Sequence, residues 1–310
     1  MITEQLPFMK KYFLGAFLFF FVVVASAQQD PQFSQYMFNE LYSNPGYAGS
    51  NNAICATALN RTQWAGFEGA PSTTSLSVEA PVSLLHGGLG LNILTDGIAQ
   101  YQFTGINLSY AYRMELTQGN LGIGASIGML QNGVDGSGFI TEIGNDPSIT
   151  TSAEKAAGLD FGLGLYYQSD KMYVGLSTRH LNEAELVDAT AIIDLERHYY
   201  LTAGYVHELA SNLELKPSVL IKTEGVTTTL DLTSLIEYNK KMWGGVSFRP
   251  SYGAVLLFGT HINQDLKFGF SYDLPISKVS GAGSFEFMLG YCFKLDYNKV
   301  AKGFKNPRFL

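Results

Sequence analysis

The sequence predicts a transmembrane antiparallel β-barrel of about fourteen strands, and three observations carry that prediction. Strand-length segments set apolar or aromatic residues against Gly, Ser or charged ones, position by position. Every second connection between them is a tight polar turn, whereas the intervening ones are mostly longer. The chain opens with an export signal, yet no later stretch approaches the length of a membrane helix.

The signal occupies residues 1–27. Lys10 and Lys11 precede an apolar run from Tyr12 to Val24, and Ala25-Ser26-Ala27 supplies the small residues of a cleavage site. A retained membrane helix is the rival reading, but Gln28, Gln29 and Asp30 end the run short of the roughly 20 residues it needs. No Cys follows the site, so a lipid anchor has no attachment point. With 46% hydrophobic residues, 33 Gly and 2 Cys in 310, the exported chain is neither a disulfide scaffold nor a disordered tail. The net charge of −7 includes Glu4, Lys10 and Lys11 of the signal, so the mature chain carries −8 and nucleic acid is not an expected partner.

Residues 28–52 spread Phe33, Tyr36, Phe38, Tyr42 and Tyr47 among Gln, Asn and Ser, a pattern of neither strand nor amphipathic helix. They are expected to form an ordered irregular segment that plugs a lumen, docks a periplasmic partner or caps the N-terminus. The barrel is expected over residues 53–297. Its clearest alternations are Ile106 to Leu116, Leu121 to Met129, Leu159 to Tyr167 and Phe285 to Leu295. A soluble sandwich would alternate too. The turns Thr117-Gln118-Gly119, Gln168-Ser169-Asp170, Ala210-Ser211-Asn212, Asn239-Lys240-Lys241 and Asn263-Gln264-Asp265, with long connections over 131–157 and 180–196, favour the membrane form. Strand centres fall near residues 58, 77, 91, 110, 125, 163, 175, 202, 218, 232, 246, 257, 270 and 290. Those near 58, 232 and 257 alternate poorly, and Pro217 inside a strand requires a local bulge. An even count places both termini in the periplasm, with residues 298–310 as a periplasmic tail.

This arrangement directs Arg61, Glu79, Asn107, Arg113, Glu115, Asp160, Lys216, Lys222, Lys267, Asp273, Glu286 and Lys294 into the lumen. Charges of both signs suit ion pairs bracing a filled interior better than a selective pore. Tyr101, Phe103, Tyr166, Tyr199, Tyr200, Trp243 and Tyr272 lie near strand ends, where interfacial girdles need them. Cys55 and Cys292 lie on the first and last strands toward the periplasmic rim, either bridged or as two unlinked small residues.

Chemistry is sparse. His86, His180, His198, His207 and His261 show no metal-ligand spacing and read as loop or lumen residues. Gly122-x-Gly124-x-x-x-Gly128 misses the dinucleotide spacing and reads as a packing feature of a strand. There is no nucleophile elbow and no P-loop, so no catalytic, cofactor-binding or metal-binding residue is assigned and an enzyme is not expected.

Two blocks carry a family resemblance. Gln29-Asp30-Pro31-Gln32-Phe33-Ser34-Gln35-Tyr36-Met37-Phe38-Asn39 leads into Asn44-Pro45-Gly46-Tyr47-Ala48-Gly49, and Arg61-Thr62-Gln63-Trp64-Ala65-Gly66-Phe67-Glu68-Gly69-Ala70-Pro71 follows. With Leu215-Lys216-Pro217-Ser218, Tyr272-Asp273 and Asn306-Pro307-Arg308-Phe309, the chain resembles, end to end, the PorP/SprF outer-membrane proteins of the type IX secretion system. Phe285 departs from the His that the family pattern sets before Glu286, leaving any role of that His unfilled. The resemblance implies a barrel required in Bacteroidetes-type bacteria for secretion or surface attachment of large client proteins, gliding adhesins included. Its partners would be the client's C-terminal region, periplasmic secretion components and outer-membrane lipid. Phe33, Gln35, Tyr36, Asn39, Asn44, Pro45, Tyr47, Trp64, Phe67 and Pro71 are the candidate partner-binding residues. A porin or transporter of small apolar solutes is the alternative.

Overall fold

The computed structural model of the chain describes residues 30–138, 152–187, 192–250, 252–275 and 283–293. The expected signal peptide, the tail 298–310, Lys294 and part of the 131–157 connection lie outside them. Strands β1 (Ile54–Thr62), β2 (Ser72–Val82), β3 (Gly87–Ile98), β4 (Tyr101–Leu116), β5 (Gly119–Asp135), β6 (Ala153–Gln168) and β7 (Met172–Arg179) pair consecutively and antiparallel. A small hairpin, β8 (Glu185–Val187) with β9 (Ile192–Asp194), stands apart in the next loop. The wall resumes with β10 (His198–Tyr205) and β11 (His207–Ala210), two halves of one barrel strand. It continues through β12 (Leu213–Thr223), β13 (Thr228–Tyr238), β14 (Met242–Arg249), β15 (Gly253–His261), β16 (Leu266–Pro275) and β17 (Ser284–Phe293). β17 pairs with β1, which closes a fourteen-strand barrel from the described residues. Closure gives each edge a partner, the condition for a sheet to cross a bilayer.

Tight turns cluster at one end of the barrel (the turn end) and the longer connections at the other (the loop end). Each expected strand centre lies within a strand. The break at Val206 is set by Pro217, which cannot donate to a neighbour: β10 pairs with β12 up to Gly204↔Ser218, and pairing resumes at His207↔Leu215. Val206 instead donates its N–H to the Lys171 carbonyl at 2.7 Å.

The outward face is an apolar belt that includes Leu108, Ile127, Leu163, Leu176, Phe258 and Leu289, all exposed. Tyr101, Tyr199 and Tyr272 stand outward near its loop end, as expected of a girdle, and Tyr112, Tyr205, Tyr238 and Tyr291 mark its turn end. The girdle assignments of Phe103, Tyr166, Tyr200 and Trp243 are corrected. Tyr166, Tyr200 and Trp243 are buried inside the barrel, and Phe103 packs inward beside Leu130. Parity decides this for Tyr166, Tyr200 and Trp243, whose neighbours Leu165, Tyr199 and Met242 take the lipid side. Glu115, expected in the lumen, is exposed in the last turn-end residues of β4.

Strands β1, β13 and β15 alternate weakly because their inward faces are partly apolar. Leu59, Leu235, Val255 and Leu257 join Leu94, Trp243 and Met288 in a core packed around Phe33 and Tyr42. The lumen is therefore built like a protein interior, with the N-terminal segment as its filling.

Cys55 and Cys292 are paired residues of β1 and β17 and form a disulfide across the seam. It closes a loop with a sequence separation of 237 residues. In the chain-entropy account a loop of this size stabilises by up to about 5 kcal/mol. We expect the folded protein to take up no alkylating reagent until reduced, by mass spectrometry. The paired substitution Cys55→Ser and Cys292→Ser should lower the midpoint of denaturant unfolding, and an unchanged midpoint would remove the stabilising role.

Candidate functional site

The candidate site is the lumen with the segment that fills it. From Asp30 to Asn52 the chain makes short helical turns at Tyr36–Phe38, Glu40–Ser43 and Pro45–Tyr47. Regular structure leaves many of its backbone groups unserved, so the wall supplies partners. Both oxygens of Glu286 accept consecutive backbone N–H groups, Ser34 at 2.9 Å and Gln35 at 2.9 Å. Glu286 is fully buried, and Arg61 is 1% exposed. Arg61 donates to Asp273 at 2.6 Å and to Ser34 Oγ at 3.0 Å, and lies 3.6 Å from Glu286. Ser34 Oγ in turn donates to Asp273 at 2.9 Å. Buried charge is tolerated in such an arrangement only because it is paired and hydrogen-bonded.

A second anchor holds the first described residue. Asp30 receives Arg179 at 3.0 Å, the Tyr200 hydroxyl and the His180 Nε2 at 3.2 Å, while Lys222 donates to its carbonyl at 2.8 Å. His180 reaches Asp160 at 2.9 Å through Nδ1. Beside it, Gln32 donates to Asp231, which also accepts from Arg249 at 2.5 Å. Arg179, Lys222 and Arg249 lie at the loop-end termini of their strands, and Asn52 leads into β1 at the turn end. The segment thus runs the length of the lumen with Asp30 at the loop end.

Asp30, His180 and His198 bring three possible ligand atoms within 4.8 Å of one another. The chemistry is that of an ion-pair latch. Both Asp30 oxygens already accept, His198 Nδ1 donates to the Glu196 carbonyl at 2.8 Å, and the cations of Arg179 and Lys222 stand where a dication would be repelled.

At the turn end the segment lies so close to the wall that strand glycines are required. A Cβ on Gly124 would sit 2.4 Å from the Gly46 nitrogen, and one on Gly164 would sit 2.0 Å from Asn44 Oδ1. The Gly-rich stretch of β5 is thereby explained as a groove for the 44–49 turn. Asn44 fixes that turn, donating to the Leu165 carbonyl at 2.9 Å and accepting from Gly46 N at 2.8 Å. Glu79 accepts from Gly49 N at 2.8 Å and from Asn51.

Of the candidate partner residues, Phe33, Gln35, Tyr36, Asn39, Asn44 and Pro45 are buried against the wall, and Tyr47 is partly so, edge-on to Tyr166 at 5.0 Å. Their surfaces are committed to the barrel. Pro71 is also buried, whereas Trp64 and Phe67 are exposed on the connection from β1 to β2 at the loop end, Phe67 at 57%. That loop leans across the seam, with Trp64 N donating to Ser284 Oγ at 3.2 Å and Ala65 N to the Gly283 carbonyl at 3.0 Å. The loop after β7 folds inward at the loop end, where Leu186 and Leu195 pack on Leu130 and Ala156. Sequence reasoning had placed Arg61, Glu79, Asp160, Lys222, Asp273 and Glu286 in the lumen correctly. It missed Asp30, Arg179, Asp231 and Arg249. Inward parity could have flagged Asp231; nothing local marks Asp30 as their meeting point.

Two outcomes are expected. Gly124→Ala should force the 44–49 turn off the wall and cost about 1–3 kcal/mol of stability, read by denaturant unfolding of the purified barrel. His180 follows β7, outside the strands; burial opposes its charge, but Asp30 and Asp160 outweigh that and raise its pKa to about 9. Its stabilisation is therefore complete below pH 6.5 and lost as pH rises through about 9. The unfolding temperature should fall between these values in the native protein and change less in His180→Gln; parallel curves would rule the latch out as the source.

Several comparisons bear on identity. Acinetobacter baumannii Omp33 aligns at 8% identity over 78% of this chain and 98% of its own, with a TM-score of 0.45. A Pseudomonas aeruginosa FadL homologue aligns at 12% over 87% and 100%, with a TM-score of 0.48. The Ralstonia pickettii toluene transporter TbuX aligns at 13% over 82% and 92%, with a TM-score of 0.48. Among curated proteins no sequence matches. The family model described as type IX secretion system membrane protein PorP/SprF matches residues 25–291. That match spans the filling segment, its Glu286 anchor and nearly the whole barrel wall, and the chain belongs to the PorP/SprF family.

Proposed function

We propose that this protein is an outer-membrane component of the type IX secretion system that receives or anchors a large client protein, such as a gliding adhesin, and performs no chemistry of its own. On this reading the turn end faces the periplasm and the loop end the cell exterior. The observation that carries it is the filled lumen. A segment held by paired carboxylates, buried arginines and an apolar core suits a rigid docking platform better than a diffusion channel, whose lumen holds water. Family membership supplies the secretion system; the client and its C-terminal region as the recognised part are our reading. Trp64 and Phe67, exposed aromatics on a loop braced by Ser284 and Gly283, are the residues we assign to partner contact.

Affinity capture of the tagged protein from outer membranes, with mass spectrometry of its companions, should recover a large surface protein or periplasmic secretion components. The paired substitution Trp64→Ala and Phe67→Ala should reduce client display while barrel levels stay constant; a fall in barrel level first would mean lipid anchoring instead. Capture of the barrel alone, with ion conductance in planar bilayers, would favour the porin alternative.

A further inference from the structure

At the turn end, between the filling segment and the wall, lies a pocket of about 230 Å³. Met37 and Phe38 of the segment and Leu235 and Trp243 of the wall line its apolar part. Lys216, Glu237 and His261 border both this pocket and a recess of about 930 Å³ among the turns, which also carries Lys240 and Lys241. The two adjoin, so the pocket is approached from the turn end, past Glu214, which pairs with Lys216 and Lys240, and past Lys241.

Several donors that line it have no acceptor among the described residues, the Tyr173 hydroxyl included. Lys267 also lines the pocket, with its ammonium 4.9 Å from the centre of the Phe38 ring and, among the described residues, no carboxylate within ion-pair distance. The carboxylates nearest in influence are already engaged. Glu237 holds Lys216 and the His261 ring, the latter at 3.1 Å, and Glu79 accepts from Gly49 and Asn51. Trp243 is 6% exposed, and its buried indole N–H has no acceptor among the described residues. An ammonium over the Phe38 ring, in a pocket that Trp243 also lines, is suited to recognising an anion carried on an apolar group.

The geometry points to a binding site for a carboxylate borne on an aromatic or branched aliphatic group, taken up from the turn end. The apolar group lies with Phe38 and Trp243, and the carboxylate takes the Lys267 ammonium as its counter-ion. The volume suits one side chain with its carboxylate and excludes a folded domain. Such a group is offered by the free C-terminus of a polypeptide ending in an apolar residue, or by a small hydrophobic carboxylic acid. The site does not depend on the export role, because it is assayed on the purified barrel.

The test is calorimetric titration of the intact barrel in detergent with 4-phenylbutyrate, with 4-phenylbutanol, and with a tetrapeptide ending in Phe as free acid and as amide. Saturable binding of at least one acid is expected, with the matching alcohol or amide about tenfold weaker or more. Lys267→Met, which keeps the stem, should reduce acid binding by a similar factor. Peptide binding without phenylbutyrate binding assigns the source to a protein C-terminus; equal binding of both assigns it to small acids. No saturable binding by either acid, or neutral analogues binding as well as acids, overturns the proposal. The acid and neutral pairs decide this on the native protein even if the variant fails to fold.

Discussion

The whole interior hangs on one carboxylate doing two jobs. Glu286 ends the hydrogen-bonding demands of the Ser34 and Gln35 backbone and sits beside Arg61 as part of its charge balance. A closed sheet satisfies its own backbone but leaves a lumen of side chains with no water guaranteed. An irregular segment has the opposite problem, backbone groups in surplus. Placing one inside the other cancels both deficits. The irregularity of residues 30–52 is thus a condition of fit, because a strand or long helix there would have consumed the N–H groups that Glu286 and Glu79 require.

The outer surface was largely legible in the sequence, and the inner one only in part. Strand positions could be read because lipid-facing residues are constrained to be apolar at every second place. Inward residues face no such uniform solvent. Where the filling presents Phe33, the wall answers with Leu235, Val255 and Leu257, and alternation fades. Where it presents backbone N–H groups, the wall answers with Glu. The poor alternation of three strands was therefore itself a sign of a filled lumen. The errors at Tyr166, Tyr200 and Trp243 came from weighing position along the strand above parity. The Asp30 cluster could not be read at all, since its partners come from three separate strands and a loop and meet only on closure.

The two ends of the lumen differ in character. Toward the loops, arginines and acids are matched and the β8–β9 loop folds in above them. Toward the turns, close backbone packing against glycines gives way to a pocket with surplus donors. Phe285, where the resemblance leads one to expect a His, makes ring contact with Phe287 and so keeps its strand integrated.

The seam disulfide alters the topology of the molecule as well as its strength. With Cys55 joined to Cys292, the wall is a covalent ring carrying two tails, where an ordinary barrel is an open chain bent round to meet itself. A protease that nicks one connecting loop within that ring leaves a single molecule. Two separate cuts are needed before any fragment can depart, so surface exposure of the longer loops carries less hazard than their length would suggest.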